Sequence, residues 1–171
     1  MSLSKKDGGL PPDTVVQTED EILEDSERVI KLYHDPSPMA MHKIVLAPCS
    51  PFSVTKRCML ESARLARKYG VRLHTHLCET MDEEDQCKAM YGIRPVELMQ
   101  ECELIGNDVF YAHGIWFNDD ELKLLAKTGS HIAHCPSSNM RLGSGICRTR
   151  ELLDLGVNVG IAVDGSASND S

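Results

Sequence analysis

Gly70-Val71-Arg72-Leu73-His74-Thr75-His76-Leu77-Cys78-Glu79 is the stretch that shows how the chain is organised. The residues before it, 55–69, place Met59, Leu60, Ala63, Leu65 and Ala66 on or near one helical face. Gly70 then closes that helix, because glycine tolerates the left-handed backbone of a helix end. Val71 to His76 reads as a short strand, and the polar run from Glu79 to Asp85 reads as a solvated loop. The same helix–glycine–strand unit recurs on both sides. Upstream, Thr18 caps a helix that opens with Glu19-Asp20-Glu21, and Asp35-Pro36-Ser37-Pro38 stops it near Tyr33. Ile44-Val45-Leu46-Ala47 is the next strand. Downstream come a helix from Pro95 to Cys102, the strand Val109-Phe110-Tyr111-Ala112-His113 and a helix over 119–127 closed by Gly129. The strand His131-Ile132-Ala133-His134, a helix over 148–155 and a strand over 157–163 complete the series.

Five short strands alternating with helices predict an α/β fold with a parallel sheet. Strands so apolar are covered on both faces. Two architectures satisfy the pattern: an open doubly wound sheet, or part of a (β/α)8 barrel. A whole barrel of that kind takes about 250 residues, so this chain would supply about strands 4–8 with their helices.

Composition excludes several function classes. The formal net charge of −8 argues against a nucleic-acid surface, which needs clustered Lys and Arg. No apolar run approaches the ~20 residues that span a bilayer, and the first residues lack the apolar core of a secretory signal. The expected location is the cytoplasm, with no membrane and no nucleic-acid partner. The seven cysteines form no C-x-x-C, so they read as reduced thiols packed as small apolar groups rather than as a zinc ribbon.

The chemistry lies at the strand ends. Successive strands finish in His76, His113, His134-Cys135 and Asp164. A lone histidine at a strand end is most often a structural group, and an Asp before Gly165 is most often a turn residue. Four such ends in series point instead at one rim, because parallel α/β barrels gather their active site at the C-terminal ends of the strands. Imidazole and carboxylate together suit Zn²⁺ or a similar divalent ion. Glu79 follows His76 by three residues, where a carboxylate beside a metal can shuttle protons.

His74-Thr75-His76-Leu77-Cys78-Glu79-Thr80, Tyr111-Ala112-His113-Gly114, His134-Cys135-Pro136-Ser137-Ser138-Asn139 and Val163-Asp164-Gly165 together resemble the amidohydrolase superfamily, in its aminohydrolase branch. The resemblance implies a partial (β/α)8 barrel. It implies that His76 and Asp164 are metal ligands, with one Zn²⁺ or other divalent ion per site. It makes Glu79 the proton shuttle, His113 the group that orients or deprotonates the attacking water, and Asp164 a base as well as a ligand. Cys135 and Asn139 are implied to border the substrate pocket. His74 is expected to point away from the site, and His34, His42 and His131 to be structural or surface residues. Gly8-Gly9-Leu10-Pro11-Pro12-Asp13 and Ala47-Pro48-Cys49-Ser50-Pro51-Phe52-Ser53 sharpen the resemblance towards members that act on oxidised purines or alkylaminated triazines. The expected reaction is hydrolytic deamination of a small heterocycle, 8-oxoguanine to urate and ammonia.

The family's first strand carries an H-x-H ligand pair that finds no counterpart here, since His74-Thr75-His76 belongs to the fifth-strand motif. Residues 1–171 are therefore expected to be the C-terminal part of such a barrel, incomplete at both ends and inactive alone. Association of copies would be one way to cover the sheet edges. Two alternatives remain at this stage. One is an amidohydrolase acting on C–N or C–Cl bonds of a triazine or pyrimidine; the other is a non-catalytic half-barrel that binds or assembles.

Overall fold

In the computed structural model, which describes residues 1–168, strand and helix alternate as the sequence leads one to expect. The helices are α1 (Glu19–Tyr33), α2 (Lys56–Tyr69), α3 (Met81–Tyr91), α4 (Pro95–Glu101), α5 (Asp119–Thr128), α6 (Pro136–Leu142) and α7 (Thr149–Asp154). The strands are β1 (Val45–Leu46), β2 (Arg72–Leu77), β3 (Val109–His113), β4 (His131–His134) and β5 (Val159–Ile161). All four pairings are parallel, and the strands lie side by side in chain order, β1-β2-β3-β4-β5. A doubly wound sheet reverses its strand order at a switch point. The strands of the described residues show no reversal, as in part of a barrel wall. No helix among the described residues is long and apolar enough to cross a membrane.

The helices begin and end where the sequence signals them. Thr18 and Glu21 form a reciprocal capping box, as do Asn118 and Glu121. Thr55 caps α2, and Gly70 and Gly129 end α2 and α5 in left-handed conformation. The strands sort their side chains by alternation. Leu73, Thr75, Leu77, Val109 and Tyr111 are wholly buried, and the apolar ones join Met59, Ala63 and Ala66 of α2, Leu98 and Met99 of α4 and Leu125 of α5 in one core. Six cysteines are buried and all seven are free, as packed thiols should be.

Three sequence expectations need correction. The polar run after Glu79 is the helix α3, not a solvated loop. It shows no apolar stripe because its buried face is acidic: Glu83 and Glu84 are 1% and 8% exposed. Glu84 pairs with Lys88 at 2.5 Å and with Arg94, which also holds Glu121 at 2.7 Å. Residues 136–142, to which the sequence assigned no helix, form α6, opened by Pro136 at its first position and closed by Gly143. The last strand is three residues long, much shorter than the apolar run over 157–163, and Val163 stays exposed.

Candidate active site

Parallel strands in one sheet present all their C-terminal ends on one rim. His76 is the last residue but one of β2, and Glu79 lies two beyond that strand. His113 ends β3, and Asp164 lies three residues past β5. Alternation alone would leave His113 on the core side, because it is in register with buried Leu77. The backbone at His113 is instead left-handed, φ 72°, and its ring stacks on His76 with centroids 5.4 Å apart. Cys78 (φ 53°) and Asp164 (φ 63°) are left-handed too. Each such non-glycine residue costs roughly 1–2 kcal/mol, and this strain sits where the chemistry-bearing side chains are aimed.

The four groups converge without bonding one another. His76 Nε2 is 3.7 Å from Asp164 Oδ1. His113 Nε2 is 4.0 Å from Asp164 Oδ2 and 3.6 Å from Glu79 Oε2. These separations are too long for hydrogen bonds. They suit a shared ion: bonds of about 2.1 Å at tetrahedral angles put ligand atoms about 3.4 Å apart. His76, His113 and Asp164 each offer a ligand atom within 4.8 Å of the others. His113 is wholly buried, yet its Nε2 has no hydrogen-bond partner, and an orphaned buried nitrogen is rare in folded proteins. An unpaired imidazole nitrogen beside a second imidazole and a carboxylate is a donor set that fits a borderline divalent ion.

Both rings are fixed from behind. His76 Nδ1 donates to the Cys49 carbonyl at 2.6 Å, and His113 Nδ1 lies 2.8 Å from Asn139 Oδ1. The Cys49 side chain, acting against burial, raises His76 to about 9, and the Cys49 carbonyl and Asp164 add to the effect. Ser138 Oγ donates to Asp164 Oδ2 at 2.6 Å and Ser168 Oγ does so at 3.0 Å. Burial opposes ionisation of Asp164, but these hydroxyls and His113 outweigh it and hold the carboxyl below its ordinary value. The turn that carries Glu79 has its own support. Glu83 Oε1 accepts from the Cys78 amide at 2.6 Å and Oε2 from the Glu79 amide at 3.4 Å.

Of the residues singled out from sequence, His76, Glu79, His113 and Asp164 come together at the rim. Cys135 and Asn139 lie just behind it, each 2% exposed. The Cys135 thiol reaches the Ala133 carbonyl at 3.4 Å, and the Asn139 amide engages His113 rather than an open pocket. His74 does not point away: residues two apart on a strand share a face, and its ring lies 5.8 Å from that of His76 while stacking on Phe110. His34 accepts from the Ile44 amide and His131 engages the Asn107 carbonyl, both structural roles. Sequence reasoning passed over Ser138, Ser168 and Glu83. Ser138 sat inside a quoted motif with no role of its own, and Glu83 was lost in an acidic run.

Known proteins resemble the chain over its whole length. The model of the Amidohydrolase family matches residues 6–171. The 8-oxoguanine deaminase of Pseudomonas aeruginosa is 53% identical over the whole chain, which spans 38% of that protein. An isoxanthopterin deaminase from an unknown prokaryotic organism is 47% identical over 95% of the chain and 34% of its own length. Among solved structures, atrazine chlorohydrolase of Arthrobacter aurescens complexed with zinc superposes on all of the chain with a TM-score of 0.96 and 33% identity, over 38% of that structure. The chain thus spans little more than a third of the relatives it matches.

Proposed function

The chain belongs to the amidohydrolase family, and from that premise we propose that its rim residues serve hydrolytic deamination of an aminated purine-like ring, with 8-oxoguanine as substrate. The observation that carries the proposal is His113 Nε2, buried and unpaired between His76, Glu79 and Asp164. The 53% identity to an 8-oxoguanine deaminase supports the choice of substrate.

His76 and Asp164 would hold a divalent ion, with His113 facing it, and Zn²⁺ is the ion that this donor set favours. Such an ion lowers the pKa of a water molecule towards neutrality. With such an ion bound, Asp164 would take a proton from the water, and His113 Nε2 would orient its oxygen towards the ring carbon that bears the amine. Glu79 stands 3.6 Å from His113, and its role would be to hand a proton to the neighbouring ring nitrogen. The water oxygen becomes the new ring carbonyl, the exocyclic C–N bond breaks, and ammonia leaves. From 8-oxoguanine and water the products are urate and one ammonia. Hydrolysis of a triazine substituent is the second reading, favoured by the superposition on atrazine chlorohydrolase.

The test is urate formation with added Zn²⁺ by a chimera in which this chain replaces the matching stretch of the 53%-identical relative. The chain alone is the baseline and Glu79→Gln the control. One urate and one ammonia per turnover, lost in the control, is the expected result. A folded, zinc-loaded chimera that releases neither product would refute the substrate. Turnover of a triazine in its place would select the second reading, and no turnover of any heterocycle would leave a non-catalytic half-barrel.

A further inference from the structure

Two adjacent residues of α6 each reach a different rim group. Ser138 is wholly buried, and its hydroxyl donates to Asp164 Oδ2 at 2.6 Å. Asn139 is 2% exposed, and its amide oxygen lies 2.8 Å from His113 Nδ1. Asp164 follows β5 and His113 ends β3, so one turn of α6 ties together two ends delivered by different strands.

We propose that Ser138 and Asn139 are positioning residues, a clamp that sets which atoms of His113 and Asp164 face the site. This rests on the metal-centred reading above. The clamp works by occupying the wrong atoms. With Nδ1–H committed to the Asn139 carbonyl, His113 is the tautomer whose Nε2 carries a lone pair, able to meet an ion or a water proton. With Oδ2 holding the Ser138 and Ser168 hydroxyls, the Asp164 oxygen left for the site is Oδ1, the one 3.7 Å from His76 Nε2. The backbone of both His113 and Asp164 is left-handed, a strained conformation that such anchoring helps to hold.

The orientation of an amide is a choice between two nearly isosteric arrangements. Were Asn139 turned over, its NH₂ would donate to Nδ1 and His113 would carry its proton on Nε2, where it could not ligate. The experiment therefore reads the tautomer directly, from imidazole ¹⁵N shifts of the full chain labelled at histidine, together with Zn²⁺ affinity by competition with a chelator. Wild-type His113 is expected to be Nδ1-protonated. Asn139→Asp, whose oxygens can only accept, keeps that tautomer, and Asn139→Leu releases it to Nε2–H. Ser138→Ala is expected to weaken Zn²⁺ binding by about 10- to 100-fold, the usual effect of removing a hydrogen bond to a ligand.

A wild-type Nε2–H tautomer that switches to Nδ1–H in Asn139→Asp would overturn the proposal, even if Asn139→Leu failed to fold. So would an unchanged Zn²⁺ affinity in Ser138→Ala when His76→Ala abolishes binding. If His76→Ala leaves Zn²⁺ binding intact, the metal-centred reading itself has failed, and the clamp with it.

Discussion

Glu83 gives the sharpest quantitative test of the packing behind the site. Its carboxyl is 1% exposed and accepts from the amides of Cys78 and Glu79. Burial raises it from an ordinary 4.5 to about 7, with the two amides pulling the other way. The sign follows from proton linkage. Below pH 4.5 both the folded and the unfolded chain are protonated there, and Glu83 imposes no penalty. Between 4.5 and about 7 the unfolded chain releases its proton while the folded chain keeps it, so stability falls as pH rises. Each pH unit in that window is worth about 1.4 kcal/mol, giving about 3 kcal/mol in all. Glu83→Gln removes the ionisation but leaves one amide short of its acceptor, a loss of about 1 kcal/mol. The variant should therefore be about 1 kcal/mol less stable than wild type near pH 4.5 and about 2 kcal/mol more stable near pH 8. Urea unfolding of both proteins across that range reads the difference, in which the other carboxylates largely cancel. A stability difference that does not change with pH would mean that Glu83 is not held protonated by burial, and one that grows in favour of wild type would show that the two amides outweigh burial.

Glu79→Gln should leave Zn²⁺ affinity within a few-fold and cut deamination in the chimera by at least about 100-fold, the scale of lost acid–base catalysis; equal losses in both would make Glu79 a ligand. Tyr111→Phe removes a buried 2.6 Å hydrogen bond to the Leu104 carbonyl and should destabilise the chain by about 1–3 kcal/mol in urea unfolding. Gly114→Ala places a Cβ 2.8 Å from Phe117 in a backbone at φ 62°, so a lower melting temperature and a shifted His113 ring resonance are expected.

Much of the fold was legible because its signals are local. Thr18, Thr55 and Asn118 cap helices with their own neighbours, and Gly70 and Gly129 end them. The rim was legible because His76, His113 and Asp164 fall at strand ends, and strand direction does the rest. What escaped was non-local. α3 buries carboxylates that are satisfied by a preceding turn and by Arg94, contacts that no periodicity records. Ser138 and Asn139 act on residues 26 positions away in each case, across strands that only the folded sheet brings together. His74 shows a simpler lesson, since the two-residue period of a strand places it beside His76.

His76 of β2, His113 of β3 and Asp164 beyond β5 are proposed to build one metal centre. Anomalous diffraction at the zinc edge, from crystals of this chain soaked in excess Zn²⁺, tests it most directly. A single strong peak is expected, bonded to His76 Nε2 and Asp164 Oδ1 at about 2.0–2.2 Å, with His113 Nε2 facing it. A peak at other side chains, or none between these three while they keep their present positions, would contradict it.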